Sequence, residues 1–309
     1  MSAFRPNLPL TITMLSWGFN FVALKLLYEQ MTPPAVALVR FVLMFVLLAA
    51  YCVLRKESLR YPPGDRNRIL GLGFLAMGVY MVLFLEGMRD SEPAEGAILL
   101  ATSPIFTALI AAAVGQERLN RGALVGAVLA FGGVGLVMSG AADQGSGKLM
   151  GNILILGSSV VWAAATVYSR PLVERHSPFR VLTLSMPGAL VVLVPYGLIA
   201  SFQTPWAGFT ATTWWMLAYI AVVAGVIGFI GFYEGVRQIG GPGAMLYQYF
   251  VPVVAAVSAW LVFGRTLTPV QYLGVAIVLA GVGWANRARA AAGALPSRPV
   301  VPPGAASGR

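Results

Sequence analysis

The sequence predicts an all-α integral membrane protein, with ten transmembrane helices arranged as two inverted five-helix repeats. Three observations lead there. Of 309 residues, 58% are hydrophobic and only 10% are charged, against roughly 25% charged in soluble domains. A water-facing surface cannot be built from so few charges. Ten apolar runs are each long enough to cross a hydrocarbon core of ~30 Å, which takes about 20 helical residues. The second half of the chain also repeats the first at a nearly constant offset.

The apolar runs cover 9–28, 33–54, 68–88, 93–114, 121–139, 150–170, 178–201, 211–236, 242–263 and 269–286. They are too long and too poorly alternating for the strands of a membrane barrel, which need about 10 residues each. The first run, Leu8 to Tyr28, is too long for a signal-peptide core, and no small-residue cleavage site follows it. Thr32-Pro33, Ser177-Pro178 and Thr268-Pro269 each set a hydroxyl N-cap before a proline at the first helical position. Thr268 and Gln271 have capping-box spacing. Residues 288–309, rich in Ala, Pro, Gly and Ser, read as a disordered cytoplasmic tail. The single Cys52 lies in an apolar run and reads as a buried structural thiol.

The net charge of +10 is explained by short basic loops rather than by nucleic-acid binding, because no Arg-rich stripe interleaved with aromatics is visible. Sixteen Lys and Arg fall on the side of the two termini and three (Arg89, Lys148, Arg265) on the other, which predicts cytoplasmic termini.

Trp17, Lys25 and Pro33 match Trp162, Arg170 and Pro178, each 145 positions later. After a short insertion the offset becomes 148. Glu86-Gly87-Met88-Arg89 then matches Glu234-Gly235-Val236-Arg237, Pro104 matches Pro252, and Leu119 matches Leu267. Gly126 matches Gly274, and Gly133-Val134-Gly135 matches Gly281-Val282-Gly283. The expected repeats are 8–140 and 149–287. Five helices per repeat is an odd number, so the second copy enters the membrane from the opposite side. Two such halves can exchange conformations at similar energy, which is the basis of alternating access around a site near the midplane.

These paired residues carry a resemblance. Trp17 with Trp162, Glu86-Gly87 with Glu234-Gly235, Pro104 with Pro252 and the glycine-rich fifth helices resemble the drug/metabolite transporter superfamily, specifically its EamA-type ten-helix exporters. The resemblance spans about residues 8–286. It implies a bacterial inner-membrane exporter of amino acids, with helices 1, 3, 4, 6, 8 and 9 lining the cavity and helices 5 and 10 as packing supports. Family members often carry a Gly-Glu pair at the ends of helices 4 and 9. Here the first is Gly115-Gln116-Glu117 and the second Gly264-Arg265, so one acid is missing.

For substrate binding the candidates are Trp17, Asn20, Tyr80, Phe84, Trp162, Tyr247, Gln248 and Tyr249. An amphipathic ligand needs apolar walls with a few placed polar groups, and these side chains supply both. For gating or coupling the candidates are Arg40, Glu86, Arg89, Glu234, Arg237, Pro104 and Pro252. Intramembrane ionisable groups are costly and point to function. Glu86/Arg89 and Glu234/Arg237 also have the i, i+3 spacing of a helix-end salt bridge, and the prolines the position of a mid-helix bend. Lys25 reads as a snorkelling anchor, and Trp206, Trp214 and Trp215 as interfacial belt.

No cofactor, metal site or enzyme activity is expected. His176 is the only histidine, and no phosphate-cradling Gly-rich loop is present. The reading is therefore a secondary transporter exporting neutral or aromatic amino acids and related amphipathic metabolites, with the bilayer as its other partner and no nucleic acid or obligate protein partner. Carriers of other metabolites or cationic drugs, and a lipid flippase, are the alternatives. Positions where the repeats differ should set specificity: Gln248 answers Leu100, Tyr249 answers Ala101, and Arg265 answers Glu117.

Overall fold

The computed structural model describes residues 7–54, 56, 58–116, 121–142, 146–264 and 267–293. Glu117, Leu119, Arg265 and the tail from 294 onward lie outside the described residues. Every regular element described is helical. In chain order the helices are α1 (Leu8–Leu27), α2 (Pro33–Leu54), α3 (Arg66–Asp90), α4 (Pro93–Ala113) and α5 (Arg121–Ala142). The second five are α6 (Ser146–Arg175), α7 (Pro178–Gln203), α8 (Ala211–Gly241), α9 (Gly243–Phe263) and α10 (Pro269–Gly293). Among the described residues, eight of these are long and apolar enough to cross a bilayer, and α5 and α10 contain the apolar stretches Leu124–Leu136 and Pro269–Gly281.

Two of the three expected hydroxyl caps, Ser177 and Thr268, are made by their side chains. Ser177 Oγ accepts from Arg180 N at 3.3 Å. Thr268 and Gln271 cap each other, Thr268 N donating to Gln271 Oε1 at 2.9 Å and Gln271 N to Thr268 Oγ1 at 3.3 Å. Helix α10 continues to Gly293, past the end expected at 286, because Ala288 and Ala290 to Ala292 are strong helix formers. The turn between α8 and α9 is compressed to one hinge at Gly240, whose φ of 75° favours glycine.

Two departures from regular helix recur in both halves. Helices α3 and α8 wind wider over Phe74–Val79 and Tyr219–Ile227, windows that overlap under the 148-residue offset. Helices α4 and α9 are interrupted rather than bent, at Ala101-Thr102 and Gln248-Tyr249. Pro104 and Pro252 lie in the first turn of the second segment of each broken helix, which begins at Ser103 and at Phe250, instead of kinking a continuous one. Proline gives no N–H to the carbonyl four residues back. In α4 that carbonyl, on Leu100, accepts from Ser103 Oγ at 2.6 Å.

The inverted symmetry is written into the packing. A Cβ on Gly133 would stand 2.7 Å from both Gly274 O and Val278 N, and one on Gly281 would stand 2.6 Å from Gly126 O and 2.5 Å from Ala130 N. Adding or subtracting 148 converts one set of contacts into the other. The pseudo-two-fold axis therefore runs between α5 and α10, whose backbones meet over small residues. The repeated Glu-Gly pair is explained in the same way. Gly87 lets α3 lie on Ile155 of α6, and Gly235 lets α8 lie on Leu10 of α1. Each half thus packs its third helix on the first helix of the other half.

Gly281→Val should destabilise the protein by about 1–3 kcal/mol through overpacking, read as a lower midpoint of thermal unfolding in detergent. Gly132→Ala, with no atom within 4 Å of the added Cβ, should leave it nearly unchanged.

Candidate substrate cavity

The first helices of the two halves meet at their repeat-equivalent tryptophans. Trp17 and Trp162 stand edge to face, with ring centroids 5.5 Å apart. Around them close Tyr80, 5.1 Å from Trp162; Phe84, stacked on Tyr80 at 5.6 Å; and Phe229, 5.6 Å from Trp17. These rings, with Asn20 of α1, Arg40 of α2, Leu100 of α4, and Gln248 and Val251 of α9, enclose a cavity of about 30 Å³. That is room for about two waters, against several hundred Å³ for a typical ligand pocket.

Near the axis one break in the symmetry makes the two tryptophans unequal. Tyr80 of α3 corresponds to Gly228 of α8. A Cβ at Gly228 would lie 2.5 Å from Trp17 Nε1, so glycine lets Trp17 sink against α8. There its Nε1 donates to Ala224 O at 2.9 Å, a carbonyl in the wide-wound stretch. Trp162, facing Tyr80 instead, is only 2% exposed and its Nε1 has no partner.

Trp162 Nε1 is one of a set. Arg40 is 1% exposed, and its Nε and Nη1 lack hydrogen-bond partners, as do Asn20 Oδ1 and Gln248 Oε1. Among the described residues no carboxylate pairs with Arg40. Its neighbours are the Phe41 ring at 5.6 Å and the hydroxyl-bearing Tyr28, Tyr80 and Tyr219. Each unpaired buried polar group costs about 1–3 kcal/mol, and more if charged. Four of the described residues with such atoms, Asn20, Arg40, Trp162 and Gln248, line this one cavity.

The remaining candidates lie elsewhere. Tyr247 sits at the end of the bundle that holds the termini, where its hydroxyl accepts from Asn7 N at 2.8 Å, and Tyr249 is half-buried in the α9 break outside the cavity wall. Glu234 and Arg237 pair at 2.6 Å at the terminus end, with Gln238 joining Glu234 to Asn7. Glu86 and Arg89 pair at 3.3 Å at the far end, where Tyr196 of α7 donates to Glu86 at 2.5 Å and Lys25 donates to Arg89 O at 3.0 Å. The two repeated ion pairs therefore stand at opposite mouths, as inversion requires, and each is tied to the other half.

A further clasp at the terminus end joins the halves. Asp65, before α3, meets His176 Nε2 at 2.8 Å and Arg175 Nη1 at 3.1 Å. The His176 hydrogen bond, with the charges of Arg175 and Arg68, holds the Asp65 carboxyl below its ordinary range despite burial.

The far end holds a group that sequence reading missed. Glu95, in the first turn of α4, pairs with Lys148 of α6 at 2.9 Å and accepts from Gln271 of α10 at 2.5 Å. Its side chain is 3% exposed and that of Lys148 10%. Only the position of Glu95 two residues after Pro93 hinted at it, since Lys148 reads from sequence as one more loop charge. A second hollow, about 440 Å³ between α4, α9 and α10, is walled by Val253, Val257, Trp260 and Tyr272 and lacks a comparable cluster of polar groups.

The model of the EamA-like transporter family matches residues 7–139 and 149–287, once for each half. The chain belongs to the EamA-like transporter family. It is accordingly a multi-pass membrane transporter. An uncharacterized transporter of Archaeoglobus fulgidus is 27% identical over 284 residues, covering 90% of this chain and 96% of its own. Proteins described as probable amino-acid metabolite efflux pumps are similar too. The one from Salmonella typhimurium is 28% identical and the one from Escherichia coli 26%, each over 88% of this chain and 91% of its own. A solved crystal structure shares the fold, with TM-score 0.67 over 93% of this chain and 98% of that one, at 17% identity. In this EamA-like transporter the family's double match and the symmetric glycine contacts describe the same duplication.

Proposed function

We propose that this EamA-like transporter exports amino acids, neutral or aromatic, and related small amphipathic metabolites across the bacterial inner membrane by alternating access, with both termini in the cytoplasm. The observation that carries the reading is the aromatic-lined cavity between the two halves, with unpaired polar atoms in an otherwise apolar wall. Trp17, Asn20, Tyr80, Phe84, Trp162 and Gln248 form the binding wall. The ion pairs Glu86–Arg89 and Glu234–Arg237, tied to the other half through Tyr196 and through Gln238 and Asn7, are the fastenings of the two mouths that alternating access would have to release one at a time. The broken helices α4 and α9 supply hinges beside the site, as discontinuous helices do in other inverted-repeat carriers. The efflux pumps to which the chain is similar support the cargo class.

The test is counterflow in proteoliposomes with a panel of labelled amino acids, with and without a pH gradient. Accumulation of at least one neutral or aromatic amino acid above empty liposomes is expected. No flux of any amino acid, beside a working control carrier, would sink the reading.

A further inference from the structure

The polar groups of the cavity have no counterparts in the other repeat. Under the 145-residue offset Arg40 corresponds to Ser185 and Asn20 to Ala165, while Gln248 corresponds to Leu100. Ser185 is buried and satisfied, donating to Leu182 O at 2.7 Å. The polar part of the site is thus asymmetric, one cation and two side-chain amides, while the aromatic part keeps the equivalent pairs Trp17 with Trp162 and Phe84 with Phe232. Among the described residues, Arg40 is also the only formally charged one lining the cavity.

We propose that Arg40 is an anion anchor that takes the carboxylate of the cargo, and that the Asn20 and Gln248 side-chain oxygens receive its ammonium group. The inference rests on the amino-acid reading above and narrows it to zwitterions. Its grounds are chemical. A guanidinium presents N–H groups in a planar fork that fits a carboxylate, and the bond is strongest where water is excluded. Arg40 Nε and Nη1 are two such donors, one on each of the guanidinium's two bidentate edges, buried and without a partner among the described residues. Asn20 Oδ1 and Gln248 Oε1 are two acceptors in the same state, which suits the donors of an ammonium group. Trp162 Nε1 adds a third donor position on the carboxylate side of the balance. A cationic drug would bring a second positive charge to Arg40 with no acid lining the cavity to offset it. A phosphate ester would bring more negative charge than one guanidinium neutralises. A zwitterion leaves both kinds of group paired and its side chain against Trp17, Tyr80 and Phe84.

The test uses the full chain in proteoliposomes with labelled phenylalanine and, as unlabelled competitors, phenylethylamine, which lacks the carboxylate, and 3-phenylpropionate, which lacks the ammonium. In the wild type, phenylalanine should exchange, 3-phenylpropionate should compete weakly, and phenylethylamine should not compete at a hundredfold excess. Arg40→Gln should reduce phenylalanine exchange by about 10- to 100-fold, the range for losing a charge-assisted hydrogen bond, and Arg40→Lys by less. Asn20→Ala should weaken phenylalanine and leave competition by 3-phenylpropionate unchanged. The wild-type competition needs no variant, so misfolding of one leaves a decisive arm. Phenylalanine flux with strong phenylethylamine competition, or with undiminished rates in Arg40→Gln, would overturn the anchor and leave the amino-acid reading standing. No flux of phenylalanine or any other amino acid would overturn both.

Discussion

Trp162→Ala is expected to abolish transport and to cost about 3–5 kcal/mol of stability, the range for deleting a large buried aromatic. Trp162 is the ring shared by both parts of the cavity. It stands against Trp17, Tyr80, Phe229 and Phe232, with centroids 4.9 to 6.0 Å away, and it carries an unpaired Nε1 into the site. Trp162→Phe separates the two roles. It keeps most of the packing, so unfolding should shift little, while the lost N–H and smaller face should lower exchange by about tenfold, near the worth of one hydrogen bond. Trp17→Phe should cost relatively more stability, because it leaves Ala224 O without the Trp17 Nε1 donor. Thermal unfolding and counterflow on the same preparations check all three.

Glu95→Ala should destabilise the transporter by about 3–5 kcal/mol, since it breaks a buried ion pair and removes the acceptor of Gln271 Nε2. The pair is enclosed, at 3% and 10% side-chain exposure, and binds α4 to α6 and, through Gln271, to α10. Glu95→Gln with Lys148→Met should recover most of the loss, because a neutral replacement pays no desolvation of charge. The exposed pair Arg170–Glu174 is a control. Breaking it should change the unfolding midpoint by no more than about 1 kcal/mol in equivalent stability. A Glu95→Ala protein as stable as wild type would mean that the clasp is dispensable.

Most of the scaffold was legible in the sequence because the bilayer imposes a length and a polarity on every span. Pro33, Pro178 and Pro269 open helices where their N–H is not needed. The duplication was legible through rigid offsets, and the structure supplies the physical reason for several matches: Gly87 and Gly235, or Gly133 and Gly281, sit where a Cβ would strike the facing helix. What escaped was long-range or local in ways that composition does not encode. A proline inside an apolar run announces a disturbance, but not that α4 and α9 stop and restart. Glu95 and Lys148 each look like loop-edge charges until the fold joins them. Tyr247 and Tyr249 share the polarity of Gln248 and its place in the sequence, yet helical rotation at the α9 break turns only Gln248 into the cavity wall. Arg40 stood out by charge alone, and only the geometry shows it beside Asn20 and Trp162.

The most direct test of the account is two-sided accessibility of the cavity. In a Cys52→Ser background, Leu100→Cys places a thiol on the cavity wall, where Leu100 is 4% exposed. An impermeant maleimide is applied to right-side-out and to inside-out membrane vesicles, with and without phenylalanine. The account predicts labelling from both faces, slowed by phenylalanine in each orientation, because the same cavity opens alternately to either side. Labelling from one face only, or from neither, would contradict it.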